Sequence, residues 1–174
     1  MQFRLAETKD IPAVLALWEN AKAFLKEQGL PQWQQGYPAL PEAEQDIALQ
    51  RLWLIEEGGT PLAVFVFDTL PDPSYATLAE GAWHIPGPYG ALHRIAVSPA
   101  ARGKGVGRAA AAHCRALCVQ QGLCALRVDT HPGNIPMRTM LERAGFAHCG
   151  LIYLAEGLEQ GSPRVTYEMR VAED

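Results

Sequence analysis

A run of glycines and cations, Arg102-Gly103-Lys104-Gly105-Val106-Gly107, lies mid-chain between an apolar strand-like segment ending at Val97 and an alanine-rich helix-like segment reaching about Gln121. Each glycine weakens a helix by about 1 kcal/mol. Cations at a helix N-terminus oppose the macrodipole by about 0.3–1 kcal/mol each. Both penalties make sense if a phosphate docks at this turn. Glycine lets the backbone approach closely and adopt positive φ, and the free N–H groups of a helix start then face the anion. The charge distribution agrees. Between Ala91 and Arg115 stand Arg94, Arg102, Lys104, Arg108 and Arg115, with no Asp or Glu. The ten Lys and Arg elsewhere in the chain face 19 Asp and Glu, and the net charge is −4. An acidic chain with one basic segment suits a small, localised anion and argues against a nucleic-acid partner.

The turn differs from two common phosphate loops. No Lys-Ser/Thr pair closes it as in a Walker A loop, and Arg108 stands where G-x-G-x-x-G needs its third glycine. It also sits mid-chain rather than in an opening βα unit. A nucleotide-phosphate domain of another kind stays open on these residues alone.

Around the turn, apolar periodicity predicts mixed α and β structure. Phe3–Ala6 reads as a strand. Lys9 to about Gln28 reads as an amphipathic helix through Ile11, Val14, Leu15, Trp18, Ala21 and Leu25, stopped by Gly29. Pro41–Gln50 predicts a second helix. Leu52–Glu56 and Leu62–Phe67 read as strands joined by the hairpin signature Glu57-Gly58-Gly59-Thr60. Residues 70–90 are broken by Pro71, Pro73, Gly81, Pro86, Gly87 and Pro88, and predict a long irregular loop of the functional kind. Strand Ala91–Val97, helix Gly105–Gln121, strand Cys124–Asp129, helix Asn134–Ala144 and strands Phe146–Leu154 and Arg164–Val171 complete the order. No linker composition divides the chain, so a single domain over residues 1–174 is expected.

No apolar run approaches the roughly 20 residues that span a bilayer, and Met1-Gln2-Phe3-Arg4 opens no signal peptide. The chain is expected to be cytoplasmic, without a membrane partner, and a monomer or homodimer. Cys114, Cys118, Cys124 and Cys149 are then reduced thiols. Their spacing makes no metal site, since Ala110, Cys114, Leu117 and Cys118 form a packed helix stripe, and no metal is expected.

Arg102, Gly105 and Gly107 occupy the three places of Q/R-x-x-G-x-G/A, and the run resembles motif A of the Gcn5-related N-acetyltransferases (GNAT family). The resemblance extends from Leu92 to Tyr153. It takes in Leu92-His93-Arg94-Ile95-Ala96-Val97-Ser98-Pro99, Leu126-Arg127-Val128-Asp129-Thr130-His131, Asn134 and Gly145-Phe146. Trp33-Gln34, Tyr37-Pro38 and Gly150-Leu151-Ile152-Tyr153 look similar to an uncharacterised bacterial subgroup. The resemblance implies an α+β, acyl-CoA N-acyltransferase fold, with a central mixed six- to seven-stranded sheet flanked by helices. It implies acetyl-CoA as cofactor and transfer of the acetyl group by direct attack of a primary amine, on a small molecule or a peptide.

In that family the cofactor lies between the two central strands, here Ala91–Val97 and Cys124–Asp129. Main-chain groups at Ile95, Ala96 and Val97 would then meet the pantetheine arm, and one N–H would polarise the thioester carbonyl. Arg102, Gly103, Lys104, Gly105, Val106, Gly107 and Arg108 would hold the pyrophosphate. Asn134 would bond a pantetheine amide while also capping the next helix, and Arg143 would reach the nucleotide end. The chain departs from the family where many relatives place a proton-donating tyrosine, because that position is Leu141. The candidate replacement donors are Tyr153, His131, Ser98, Cys149 or a water, and the candidate base is Glu80, His84 or a water chain ending at either. Trp33, Tyr37 and Trp83, in predicted loops, are expected to be exposed and to line the acceptor site. A non-catalytic coenzyme A-binding regulatory module is the alternative that Leu141 leaves open.

Overall fold

Apolar alternation and turn chemistry decide the elements of the first half. The computed structural model describes residues 1–171. Strands β1 (Gln2–Leu5), β2 (Leu52–Glu57) and β3 (Thr60–Asp68) pair antiparallel in sequence of space. Gly58 and Gly59 take φ of 55° and 78°, the conformation a two-residue hairpin turn requires. Helices α1 (Ile11–Glu27) and α2 (Leu40–Ala48) stand where periodicity places them. Between them lies the turn-rich segment 31–39.

The remaining elements are β4 (Glu80–Gly81), β5 (Tyr89–Val97), α3 (Val106–Gln120), β6 (Ala125–Thr130), α4 (Ile135–Arg143), β7 (Ala147–Tyr153) and β8 (Pro163–Arg170). The hydrogen-bonded strand order is β1-β2-β3-β5-β6-β8-β7-β4. Within it, β5 and β6 run parallel from Tyr89↔Ala125 to Ala91↔Arg127, while β8 is antiparallel to both β6 and β7. The mixed sheet thus has eight strands rather than six or seven. The additional strand is β4, two residues inside the segment predicted as loop. Proline and glycine density hid it, because pairing of two residues leaves no periodicity to read.

The residues group into two compact units, Met1–Phe67 with His93–Ala110 and Asp68–Leu92 with Ala111–Asp174. In the first, Val14, Leu17, Trp18 and Leu25 of α1 pack with Ala43, Leu52, Leu54, Val64, Val66 and Ala96. β3 is buried on both faces from Ala63 to Phe67, which explains its uninterrupted apolar run. In the second, Tyr75, Ala91 and Ile152 form a buried cluster with Leu78, Trp83, Tyr89 and Leu154 against it. No described helix is long and apolar enough to cross a membrane.

Candidate functional site

The glycine-rich turn belongs to the first unit. After β5 the chain makes a short 3-10 turn at Pro99–Ala101, and α3 starts at Val106. Gly103 and Gly105 take φ of 75° and 80°. A Cβ on Gly103 would meet nothing within 4 Å, and one on Gly105 only Arg108 Nη2 at 3.9 Å. Glycine is therefore required here by backbone conformation, and the loop faces open space. The first main-chain bond into α3 is Ala109 N–H to the Gly105 carbonyl, at 3.0 Å. The N–H groups of Val106, Gly107 and Arg108 enter the helix ahead of any intrahelical acceptor. This nest of amides, flanked by Lys104 and Arg108, suits a diphosphate.

The basic segment divides in two. Arg102 lies 4.1 Å over the Phe24 ring and donates from Nη2 to the Asn20 carbonyl at 3.3 Å, so α1 anchors its charge beside the turn. Arg115 donates to the Val171 carbonyl. Arg94 points into the protein instead. Its Nε and Nη2 each donate to fully buried Asp46 at 2.9 Å, and Nη1 donates to the Tyr37 hydroxyl at 2.6 Å. Arg51 Nε reaches the same carboxylate at 2.7 Å. Burial works against the Arg94 charge, but Tyr37 and Asp46 outweigh it and hold its pKa above the usual arginine value.

The backbone of Arg94 has φ of 49°, inside strand β5. Such a conformation costs an ordinary residue about 1–3 kcal/mol. Trp18 Nε1 donates to the Arg94 carbonyl at 3.2 Å, so main chain and side chain are both clamped. The next residues are Ile95, Ala96 and Val97, with Ala96 in the core and Ser98 N–H bonded to the Leu62 carbonyl at 2.8 Å.

None of the three loop aromatics is exposed in the manner expected. Trp33 is only 8% exposed and packs in the core of the first unit. Tyr37 is half-buried against the same core, with its hydroxyl on Arg94. In the second unit Trp83 is half-buried, donates to the Tyr75 carbonyl at 2.9 Å and carries Arg127 4.1 Å over its ring. Polar partners inside the fold satisfy Tyr37 and Trp83, which loop placement does not reveal.

Proton-transfer candidates in the second unit separate by their partners. Leu141, at the family's tyrosine position, is fully buried in α4 and can donate nothing. His131 Nδ1 accepts from Gly133 N–H at 3.0 Å, and burial, then Arg164, lowers its pKa. At neutral pH it is an uncharged ring whose second proton would break that turn. Cys149 is buried, and burial with Glu168 beside it pushes the thiol up to about 12. Cys149 is therefore a protonated thiol rather than a nucleophile. Tyr153 is 53% exposed at the end of β7, and Glu80 is exposed in β4. Asn134 caps α4 through Oδ1, accepting from Met137 N–H at 3.3 Å, and its Nδ2 donates to Thr130 Oγ1. Arg143 is exposed in the last turn of α4.

Several buried charges escaped the sequence reading. Asp129 accepts from the buried Tyr75 hydroxyl at 2.6 Å and lies 3.7 Å from buried Arg164, which also pairs with Glu159 at 2.8 Å. Arg127 stands directly across from Glu168 in the β6–β8 register. For Asp129, Arg164, Arg127 and Glu168 the signal was a charged residue inside an apolar strand pattern, whereas Glu159 lies in the turn before β8.

The sequence model of the Acetyltransferase (GNAT) family matches residues 16–146. A crystal structure of a GNAT-family acetyltransferase from Streptococcus agalactiae 2603 is similar at 28% identity and TM-score 0.84, over 99% of this chain and 96% of that one. A second, from Listeria monocytogenes 4b F2365, shares 22% identity with TM-score 0.70, over 97% and 94% of the two chains. A ribosomal-protein-alanine N-acetyltransferase from Brucella melitensis shares the fold at 19% identity and TM-score 0.69, over 98% and 99%. No curated protein matches. The family match covers most of the chain and includes the Arg102–Arg108 turn, so this protein belongs to the GNAT acetyltransferase family and is an acetyl-CoA-dependent N-acetyltransferase.

Proposed function

We propose that the protein acetylates a primary amine, on a small molecule or a peptide, by direct attack and without an acetylated enzyme residue. The observation that carries the reading is the Arg102–Arg108 turn, with positive φ at Gly103 and Gly105 and open space above it. Acetyl-CoA supplies the activated acetyl group. The turn binds its diphosphate through the amides of Val106, Gly107 and Arg108 and the charges of Lys104, Arg108 and anchored Arg102. Ile95, Ala96 and Val97 present the strand edge that takes the pantetheine arm, and the clamp on Arg94 fixes that edge. Asn134, already committed to the α4 cap and Thr130, contributes by holding the start of α4, and Arg143 adds a surface charge.

Burial and the neighbouring Glu168 raise the Cys149 thiol to about 12, which supports direct attack over an acetylated Cys149. Direct attack needs a proton for the departing thiolate and a base for the amine. Tyr153 is the donor we assign, because its hydroxyl is exposed and Leu141 and His131 are unsuited. Glu80 is the base, as an exposed carboxylate. Trp83 is assigned to the acceptor within the second unit; within the first, Tyr37 is assigned to it with Trp33 supporting that ring from the core.

The test is release of coenzyme A thiol from acetyl-CoA across a panel of metabolite amines and peptide N-termini. Turnover with at least one amine is expected, and Tyr153→Phe should lower kcat by about 10²-fold or more with KM for acetyl-CoA unchanged. Equal kcat in Tyr153→Phe removes Tyr153 from the role. Tight acetyl-CoA binding with no turnover on any amine removes the acceptor class.

A further inference from the structure

Among the described residues, His84, Cys149 and Glu168 each offer one ligand atom, and these atoms lie within 4.8 Å of one another. All three belong to the second unit. They are distant in sequence, and the backbone converges them. The β7–β8 ladder passes from His148↔Tyr167 to Gly150↔Thr166, so Cys149 is the extra residue of a bulge. A bulge re-aims the side chain it carries, here into the buried space beside Glu168. β4 packs hard on that bulge. A Cβ on Gly81 would sit 2.0 Å from the Cys149 carbonyl oxygen, and one on Gly150 would sit 1.9 Å from that of Glu80. Glycine at both positions lets the strands close, and the chain leaving Gly81 brings His84 to Glu168. Glu168 Oε1 accepts the N–H groups of His84 and of Ile85, the latter at 3.1 Å.

The other carboxylate oxygen is unmatched. Glu168 is 2% exposed, yet its Oε2 has no hydrogen bond among the described residues. Arg127 Nε lies 3.7 Å away, beyond hydrogen-bond reach. The Arg127 guanidinium is held elsewhere, donating from Nη2 to the Ile85 carbonyl at 3.2 Å and stacked 4.1 Å and 4.2 Å from Trp83 and Tyr89. A buried carboxylate oxygen that accepts no hydrogen bond, with only a guanidinium at 3.7 Å and the Cys149 thiol beside it, is costly and leaves a place for an ion or a water.

We infer that His84, Cys149 and Glu168 form a binding site for a zinc-type divalent cation, with a fourth position open to solvent on the His84 side. Imidazole and thiolate together favour zinc over calcium or magnesium, which take oxygen donors. Tetrahedral zinc, about 2.0–2.3 Å from its donors, sets them roughly 3.3–3.8 Å apart. Rotation of the exposed His84 ring supplies the adjustment from the 4.8 Å limit to bonding geometry. On binding, a zinc–sulfur bond replaces the Cys149 S–H bond, and the proton leaves to solvent. The cation then faces the thiolate and carboxylate and ties the segment after β4 to β7 and β8. This site stands independently of the acetyl-transfer reading.

The experiment uses the full chain, stripped with chelator and titrated with Zn²⁺ alone, then with Co²⁺. We expect saturable binding of about one equivalent, with cobalt giving a thiolate charge-transfer band and tetrahedral d–d bands. His84→Ala keeps the backbone contact to Glu168 and all the cysteines, and should weaken zinc binding by about tenfold or more. Cys149→Ser should abolish the charge-transfer band. Absence of saturable zinc binding overturns the site and leaves a water bridging Glu168 and Arg127. Unchanged affinity in His84→Ala also overturns it, assigning the metal to other thiols.

Discussion

Asp46 is the residue on which the first unit turns. Its carboxylate is fully buried and answers two guanidiniums, Arg94 and Arg51. Removing one member of a buried ion pair leaves an uncompensated charge, which costs about 3–5 kcal/mol. Asp46→Ala should lose that much in urea denaturation, and the double variant Arg94→Met with Asp46→Leu should lose less than the sum of the single ones. Additive losses would show that the two side chains act separately. Arg4 and Asp10 form a more exposed pair, at 2.7 Å and 2.9 Å, and Asp10 also accepts Glu7 N–H. The hydrogen bond from Arg4, ahead of an opposing burial effect, lowers the Asp10 pKa. A depressed folded pKa contributes stability that is complete above the unfolded value of about 3.9 and is lost as pH falls through the folded one. Asp10→Asn should therefore cost about 1 kcal/mol at pH 7, with the two stability curves converging below pH about 4. Parallel curves down to acid pH would assign the loss to something other than the ionised carboxylate.

At the scale of the element, the turn before α3 combines three features that are each unfavourable alone: glycines, cations and unpaired amides. They suit one another only with an anion present. Lys104→Ala with Arg108→Ala should raise KM for acetyl-CoA by about 10–100-fold, the loss of two charge-assisted contacts, with kcat little changed. The rise of KM with added salt should be shallower in the variant than in the parent, because screening acts on the charges removed. A KM that ignores both substitutions would place the diphosphate elsewhere. The elements themselves were largely legible. All eleven predicted helices and strands stand within one or two residues of their expected ends, because each has either clear periodicity or a glycine or proline at its boundary. β4 was not, since its pairing depends on Gly81 and Gly150 allowing two backbones to meet.

Across the whole molecule, the sequence by itself determined the mixed α and β order, the glycine- and cation-rich make-up of the turn and, through motif A, the family. Those are local properties: periodicity within a window, glycine against helix propensity, charge along a short segment. The loss of the family's tyrosine was equally visible at Leu141. What the chain does with its aromatic and charged side chains was decided only by tertiary structure. Trp33 lies in the core although its neighbours read as loop, and Arg94 turns inward to Asp46 and the Tyr37 hydroxyl, which come from segments far from it in sequence. The convergence of His84, Cys149 and Glu168 needs a bulge in β7 and its register with β8. Burial and hydrogen-bond partners depend on which strands become neighbours, and that is set by packing across long separations rather than by any pattern within a segment.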